Sequence, residues 1–214
     1  RIHVLHVSTS EEIQLLQQHK KLASVEVTPQ HLTLVSPDCY DRLGTLAQMN
    51  PPIRDVTHRD SLWRGIADGV VDVIGSDHAP HTIEEKNKDY PNSPSGMPGV
   101  QTLLPIMLNH VSLGHLSLER LTNLISTSPA NIFGIKNKGK IAIGYDADLT
   151  LIDTNANRII SNDWIASRCG WTPFNGDMVK GWPKITIISG NVVMREDELI
   201  GVPMGSPLEF VKDH

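Results

Sequence analysis

Three side chains of types that bind divalent metal ions stand at the ends of predicted β-strands. His6 lies in the apolar run that begins at Ile2, His31 lies just past the next strand, and Asp77 ends the run that begins at Val70. Imidazole and carboxylate groups suit Zn²⁺ or a similar ion, which lowers the pKa of a bound water to about 7 and so yields a nucleophile. Asp77 would then serve both as a metal ligand and as the group that moves the proton.

The predicted elements around these residues explain why the side chains would meet. Strand patterns at 2–7, 24–28, 46–49 and 70–77 alternate with helical patterns, which is typical of parallel βα units. Parallel sheets of this kind bind ligands at the carboxyl ends of their strands. All four predicted strands have a polar candidate there, and Asn50 is the one that follows the third. The pattern fits either an open doubly wound sheet or a (β/α) barrel.

A single histidine is a weak indication of a metal site, because most histidines are ordinary core or surface residues. The chain has 10 His, so some fall at strand ends by chance. His3 and His78 are predicted to be structural, and no role is assigned to His19, His58, His110 and His115. The coincidence at four successive strand ends is what favours a functional site.

Composition and charge restrict the class of protein. The 214 residues are 39% hydrophobic and 20% charged with a net charge of −5, which is typical of a soluble globular protein. The apolar runs are too short to cross a bilayer, and the chain lacks the Lys/Arg stripe that nucleic acid binding needs. Cys39 and Cys169 are predicted to be plain thiols, with a reducing cytoplasm as the expected compartment.

The pattern changes after about residue 138. Strand signals replace helical ones, and Ser189-Gly190-Asn191 has the composition of a hairpin turn. The strand-like segments are 141–153, 184–189 and 191–194. We therefore predict an α/β portion over residues 1–138 and a small β portion over residues 139–214.

The first residues have the pattern expected in the middle of a longer sequence. A strand pattern is already present at Ile2, and the chain has no initiator Met. An unsupported first strand would leave backbone groups unpaired on both sides. We therefore expect the chain to be part of a longer protein.

Several motifs together resemble the dihydroorotases of the amidohydrolase superfamily. The most specific is Gly75-Ser76-Asp77-His78-Ala79-Pro80-His81, with Met49-Asn50-Pro51-Pro52 upstream of it. The resemblance extends over nearly the whole chain, through segments 6–9, 26–32, 95–102, 128–130, 139–149 and 172–174.

The resemblance implies the second half of a (β/α)8 barrel of the TIM type, followed by a small C-terminal β-sandwich portion. It also implies the reversible cyclisation of N-carbamoyl-L-aspartate to dihydroorotate at a centre of one or two divalent metal ions, with zinc expected. By position, His6, His31 and Asp77 would be metal ligands. Asp77 would also be the catalytic general acid and base.

Four further residues are implied in binding the substrate. Asn50 and His81 would contact its pyrimidine ring or its carboxylate. The backbone at Ser95 and Gly96 would close over it.

The resemblance is incomplete in one respect. The family has a His-x-His pair, a bridging Lys or Asp and an Arg that grips the substrate, and all of these would lie upstream of Arg1. The sequence itself contains no His-x-His pair. We therefore expect the 214-residue chain by itself to be inactive.

Two alternatives stay open. Another cyclic amidase, such as an allantoinase or hydantoinase, would share the ligands and differ in the substrate loops. A catalytically inactive dihydroorotase-like partner of aspartate transcarbamoylase would have lost ligands, whereas His6, His31 and Asp77 are present. The expected partners are a small-molecule substrate and further copies of the chain in a homo-oligomer. Aspartate transcarbamoylase is a further candidate partner.

Overall fold

The computed structural model describes residues 2–211, which fold into two compact units. The first comprises Arg1–Ile106 and Ile159–Met178, and the second comprises Met107–Arg158 and Val179–His214. The predicted portions, residues 1–138 and 139–214, stay a prediction, and residues 1 and 212–214 lie outside the described residues. Residues 159–178 join the first unit, where Trp171 and Phe174 are buried and the Trp171 indole N–H donates to the His81 carbonyl oxygen at 2.8 Å.

Three short parallel strands form the sheet of the first unit. They are β1 (Ile2–Val4), β2 (Ala23–Val27) and β3 (Val73–Ile74), in the order β1-β2-β3. His3 pairs with Ser24, and Val27 pairs with Ile74. Strand β2 is central, and its apolar side chains are buried as expected for a strand covered on both faces.

Helices follow the strands of this unit. They are α1 (Ser10–Gln18), α2 (Pro29–Thr33), α3 (Asp38–Leu43), α4 (Val56–Ala67) and α5 (Ile83–Lys86). The N-cap of α1 is Thr9, whose hydroxyl accepts from the Glu12 N–H while the Glu12 carboxylate accepts from the Thr9 N–H. The acidic residues Glu11 and Glu12 predict a helix capped by Ser8 or Thr9, and the capping box confirms this start at Thr9.

One predicted strand is wrong. The segment 46–49 overlaps a 3₁₀ turn, Gly44–Ala47, that continues directly from α3. Ala47 and Met49 are buried, so alternating burial imitates a strand. The Gln48 N–H bonds locally to the Thr45 carbonyl oxygen rather than to a neighbouring strand. The parallel sheet within residues 2–211 therefore has three strands instead of the expected four.

The second unit combines helices with an all-β segment. Helix α6 (Leu103–Ser112) leads into α7 (Leu118–Thr122), a π-helical turn (Asn123–Thr127) and α8 (Ser128–Ile132). A four-stranded sheet has the order β4-β5-β6-β7. Its strands are Leu149–Ile159, Met178–Ile188, Asn191–Arg195 and Glu198–Leu199.

The predicted hairpin is confirmed at the turn between β5 and β6. Ser189 and Gly190 both have positive φ values, +49° and +81°, as a type I′ turn requires. The two strands pair antiparallel, with Ile188 opposite Asn191. Trp182 of β5 is buried, and its indole N–H donates to the Asp197 carboxylate at 2.9 Å.

The helices of both units are short or carry polar residues. Within residues 2–211, no helix combines the length and the apolar character that crossing a bilayer requires.

The Asp72 carboxylate ties β2 to the segment that precedes β3. It accepts from the Lys20 ammonium at 2.5 Å and from the Val25 backbone N–H at 2.8 Å. We expect Asp72→Ala to lower the free energy of unfolding by about 2 kcal/mol, because both donors lose a charged acceptor. Urea unfolding measures this change.

Asp60→Ala is the matched control, because Asp60 pairs with its sequence neighbour Arg59 at the surface. We expect a change below about 0.5 kcal/mol for this variant. Equal effects of the two substitutions would contradict a structural role for Asp72.

Candidate active site

The carboxyl ends of the three parallel strands bring the predicted metal ligands to one edge of the sheet. His6 follows β1 by two residues, Asp77 follows β3 by three, and His31 lies in α2 directly beyond β2. The backbone ladder continues past the assigned strands, since the Val7 N–H donates to the Glu26 carbonyl oxygen at 2.8 Å. The position of these residues in parallel sheets is the one at which ligands bind.

Both His6 and Asp77 have a left-handed backbone. Their φ values are +39° and +41°, a region that residues other than glycine rarely occupy. Such conformations are held by the surrounding structure and cluster at functional sites. The two residues turn the chain sharply where β1 and β3 end.

His6 contains an unsatisfied polar atom. Its Nδ1 is buried and has no hydrogen-bond partner within residues 2–211. A buried ring nitrogen without a partner is costly, and coordination to a cation would satisfy it when the nitrogen is unprotonated. His6 therefore fits the role of a metal ligand.

Both ring nitrogens of His31 lie near protein oxygen atoms. Its Nε2 lies 3.0 Å from the Pro51 carbonyl oxygen and its Nδ1 lies 2.8 Å from the Thr28 hydroxyl. The carbonyl can only accept, so in the neutral ring Nε2 carries the hydrogen and Nδ1 accepts from the hydroxyl. The role of His31 as a metal ligand stays a prediction.

Burial also acts on the pKa of His31. The residue is 3% exposed, and this burial lowers its pKa more than the Pro51 carbonyl and the nearby Asp77 charge raise it. A lowered pKa favours the neutral form of the ring.

The metal ligand set within the described chain is incomplete. Residues 2–211 contain no group of three or more His, Cys, Asp or Glu side chains arranged to hold a metal ion. Zinc sites in proteins usually have three or four protein ligands. The predicted ligands among these residues do not by themselves form such a set.

The predicted substrate-binding residues lie on two loops that are joined to each other. The Gly96 N–H donates to the Gln48 carbonyl oxygen at 2.9 Å, and the Gln48 side-chain amide donates to the Ser93 carbonyl oxygen at 3.0 Å. The same amide lies 3.3 Å from the Ser95 hydroxyl. Asn50, two residues after Gln48, is thereby fixed relative to Ser95.

Asn50 and Ser95 line one cleft of about 700 Å³, together with Tyr40 and Tyr90. Clefts of this size accommodate small-molecule ligands. Neither His81 nor Gly96 lines this cleft.

Gly96 is required by its surroundings. Its φ is +140°, and a Cβ added there would lie 2.6 Å from the Ala79 Cβ and 3.2 Å from a ring carbon of His81. Backbone pairing supports this close approach, because the Ala79 N–H donates to the Met97 carbonyl oxygen at 3.0 Å. The structure thus brings Gly96 and His81 together.

His81 is held from two sides. Its carbonyl oxygen accepts from the Trp171 indole N–H, and its Nδ1 lies 3.6 Å from the Glu85 carboxylate. Glu85 is itself fixed by the capping box of α5, in which it accepts from the Thr82 N–H at 3.0 Å. The imidazole keeps about a third of its surface exposed and can reach a ligand.

Sequence reasoning missed three residues that organise the site. Gln48 and Trp171 connect the substrate loops, and buried Gln30 donates to the Ser76 carbonyl oxygen at 3.0 Å, next to Asp77. Gln30 lies within the segment 26–32 and Gln48 directly precedes Met49-Asn50-Pro51-Pro52, and this proximity to the motifs is the signal that could have marked them. Trp171 directly precedes the motif that begins at Thr172.

The chain matches the Amidohydrolase family over residues 1–193. Among curated proteins, the dihydroorotase of Halobacterium salinarum is 44% identical over 196 residues, which are 92% of this chain and 46% of that protein. The dihydroorotase of Pyrococcus furiosus is 41% identical over 204 residues, 95% of this chain and 47% of that protein. The chain therefore spans about half the length of the curated relatives it matches.

Solved structures give a similar result. The L-hydantoinase (dihydropyrimidinase) from Arthrobacter aurescens has a TM-score of 0.89 at 33% identity, over 94% of this chain and 46% of that one. This likeness establishes an α/β fold of that kind. Because the family match covers residues 1–193 of the 214-residue chain, the chain belongs to the amidohydrolase family.

Proposed function

We propose that the protein is a dihydroorotase, a metal-dependent enzyme that interconverts N-carbamoyl-L-aspartate and dihydroorotate. The observation that carries the proposal is the 44% identity to a curated dihydroorotase across nearly the whole chain. The substrate is then a small cyclic amide, and pyrimidine biosynthesis is the pathway that such an enzyme would serve.

His6, His31 and Asp77 are the residues that would hold a metal ion, zinc being the proposed one. The unsatisfied His6 Nδ1 and the position of all three residues just beyond the strands support this assignment. When bound, a divalent ion of this type supplies Lewis acidity toward water and toward an amide carbonyl. Further ligands would have to come from outside the residues described here.

Asp77 is the proposed general base and acid. In ring opening, its carboxylate would accept a proton from the attacking water and then deliver it to the departing amide nitrogen. The reverse transfers would close the ring. The turn at Asp77 places this carboxylate at the end of β3, beside the segment 78–81 that leads to His81.

Asn50, His81, Ser95 and Gly96 are the proposed substrate-binding residues. The Asn50 amide and the Ser95 backbone offer polar contacts to a ring with amide groups, and His81 can donate to its carboxylate. His31 lies close to this loop, since its Nε2 is 3.0 Å from the carbonyl oxygen of Pro51, the residue after Asn50.

The finer architecture is part of the same proposal. The three parallel strands would belong to the second half of a (β/α)8 barrel, and the four-stranded sheet to a small β-sandwich portion. A homo-oligomer, an association with aspartate transcarbamoylase and a cytoplasmic location stay predictions from the sequence.

A hydantoinase-type cyclic amidase is the second candidate. The TM-score of 0.89 to an L-hydantoinase favours it, since the backbone of the site would suit either ring. The substrate loops around Asn50 and Ser95 would distinguish the two activities.

A substrate panel tests the proposal. The protein, in its full natural length and loaded with Zn²⁺, is assayed with dihydroorotate, N-carbamoyl-L-aspartate, hydantoin, dihydrouracil and allantoin. We expect the highest kcat/KM with the first two. Preference for hydantoin or dihydrouracil would replace the proposal by the second candidate, and no turnover of any substrate would contradict both.

Metal retention tests the proposed histidine ligands. We expect His6→Ala and His31→Ala each to lower the zinc content of the purified protein, because each removes a proposed ligand. Elemental analysis after dialysis measures the zinc, with exposed His19→Ala as the control. Unchanged zinc content in either site variant would exclude that residue as a ligand.

Removal of the proton-transfer group is tested by Asp77→Asn. We expect kcat to fall about 10³-fold, because general acid–base catalysis typically contributes that much. The assay is steady-state turnover of dihydroorotate at fixed zinc occupancy, with exposed Asp68→Asn as the control. A kcat within about threefold of the original would exclude Asp77 as the catalytic base.

A further inference from the structure

Lys86, at the end of α5, is completely buried. Its exposed fraction is 0%, and it ranks with the large core side chains in this respect. Its ammonium donates to two backbone carbonyl oxygens, those of Gln48 and Pro94, each at 2.8 Å. Within residues 2–211, no carboxylate forms an ion pair with it.

A buried ammonium without a carboxylate is unfavourable, because neither carbonyl carries a full negative charge. Burial accordingly lowers the pKa of Lys86 to about 8. The Trp171 ring lies 5.9 Å from the ammonium and offers a further, cation–π interaction. A lysine kept in such surroundings is more typical of a functional site than of an ordinary core.

Each of the three groups around the ammonium is close in sequence, or hydrogen-bonded, to a proposed substrate-binding residue. Gln48 stands two residues before Asn50, Pro94 directly precedes Ser95, and Trp171 donates to the His81 carbonyl oxygen. These segments, around residues 48, 94 and 171, lie far apart along the chain. Within residues 2–211, no strand pairing joins all three of them.

We propose that Lys86 is a positioning residue, whose buried ammonium holds the Asn50 loop, the Ser95–Gly96 loop and the His81 segment in the geometry that binds the substrate. The inference rests on the proposed function for its substrate and assigns Lys86 no contact with the reacting atoms.

The donor count of lysine suits this task. An ammonium has three N–H groups, two of which bond the carbonyl oxygens. Neighbouring bonds hold Lys86 itself, since the Ser93 hydroxyl donates to its carbonyl oxygen at 3.0 Å and its own N–H donates to the Thr82 carbonyl oxygen at 3.0 Å. The ammonium is therefore fixed at both the backbone and the side-chain end.

Lys86→Met in the zinc-loaded protein of full natural length tests the inference. The thioether has a similar length and no donor, so both loops lose their shared contact. We expect KM for dihydroorotate to rise about tenfold with kcat within about threefold, since displaced binding groups weaken substrate binding first. Lys88→Met, an exposed substitution two residues further along, should leave both constants unchanged.

Hydrogen exchange of backbone amides provides a readout that does not depend on activity. We expect faster exchange over 92–97, which includes the Gly96 N–H bonded to Gln48, and unchanged exchange in α4. If Lys86→Met unfolds, exchange in α4 rises as well, and Lys86→Gln then decides. The neutral, shorter Gln amide can still donate to one of the two carbonyl oxygens. We therefore expect KM and the exchange rate over 92–97 to lie between those of the original protein and those predicted for loops that have lost both bonds.

The outcomes separate the two proposals. No cyclic amidase activity in the original protein would overturn the proposed function, while the exchange comparison would still decide the role of Lys86. An active original together with unchanged KM and unchanged exchange in a folded Lys86→Met or Lys86→Gln variant would overturn the positioning role.

Discussion

Parallel pairing of β2 with both of its neighbours is the interaction on which the candidate site depends. The pairs Val4–Val25 and Val27–Ile74 align the carboxyl ends of three strands that are far apart in sequence. Because all three strands run in the same direction, the residues that follow them emerge at one edge of the sheet. His6 and Asp77 then turn with positive φ, which keeps their side chains at that edge instead of extending the strands.

The site is also organised by polar groups that the fold buries. An unsatisfied buried donor or acceptor costs about 1–3 kcal/mol, so each such group needs a partner or a function. His31 meets this requirement with Thr28 and Pro51, and Lys86 meets it with Gln48 and Pro94. The Nδ1 of His6 has no such partner within residues 2–211, which favours this atom as a candidate metal ligand.

Local signals in the sequence predicted two features correctly and one wrongly. The start of α1 at Thr9 and the turn at Ser189-Gly190 follow from local hydrogen bonds and backbone preferences, and both were predicted. The segment 46–49 has the same alternation of burial as a strand but forms a 3₁₀ turn, since periodicity does not show whether a neighbouring strand is present to pair with it.

The α/β character, the family resemblance and the set of polar residues at the strand ends could be predicted from the sequence, because these depend on residue types and on spacing within short segments. Three features came from tertiary contacts instead: both ring nitrogens of His31 have protein partners, residues 159–178 join the first unit, and the Lys86 ammonium bonds the Gln48 and Pro94 carbonyl oxygens. These features depend on contacts across long stretches of chain, such as the 38 positions between Lys86 and Gln48 and the 90 between Trp171 and His81. A charged run such as Glu84-Glu85-Lys86 is typical of a solvated surface, and it is the packing of distant loops around one of its residues that makes that residue part of the interior.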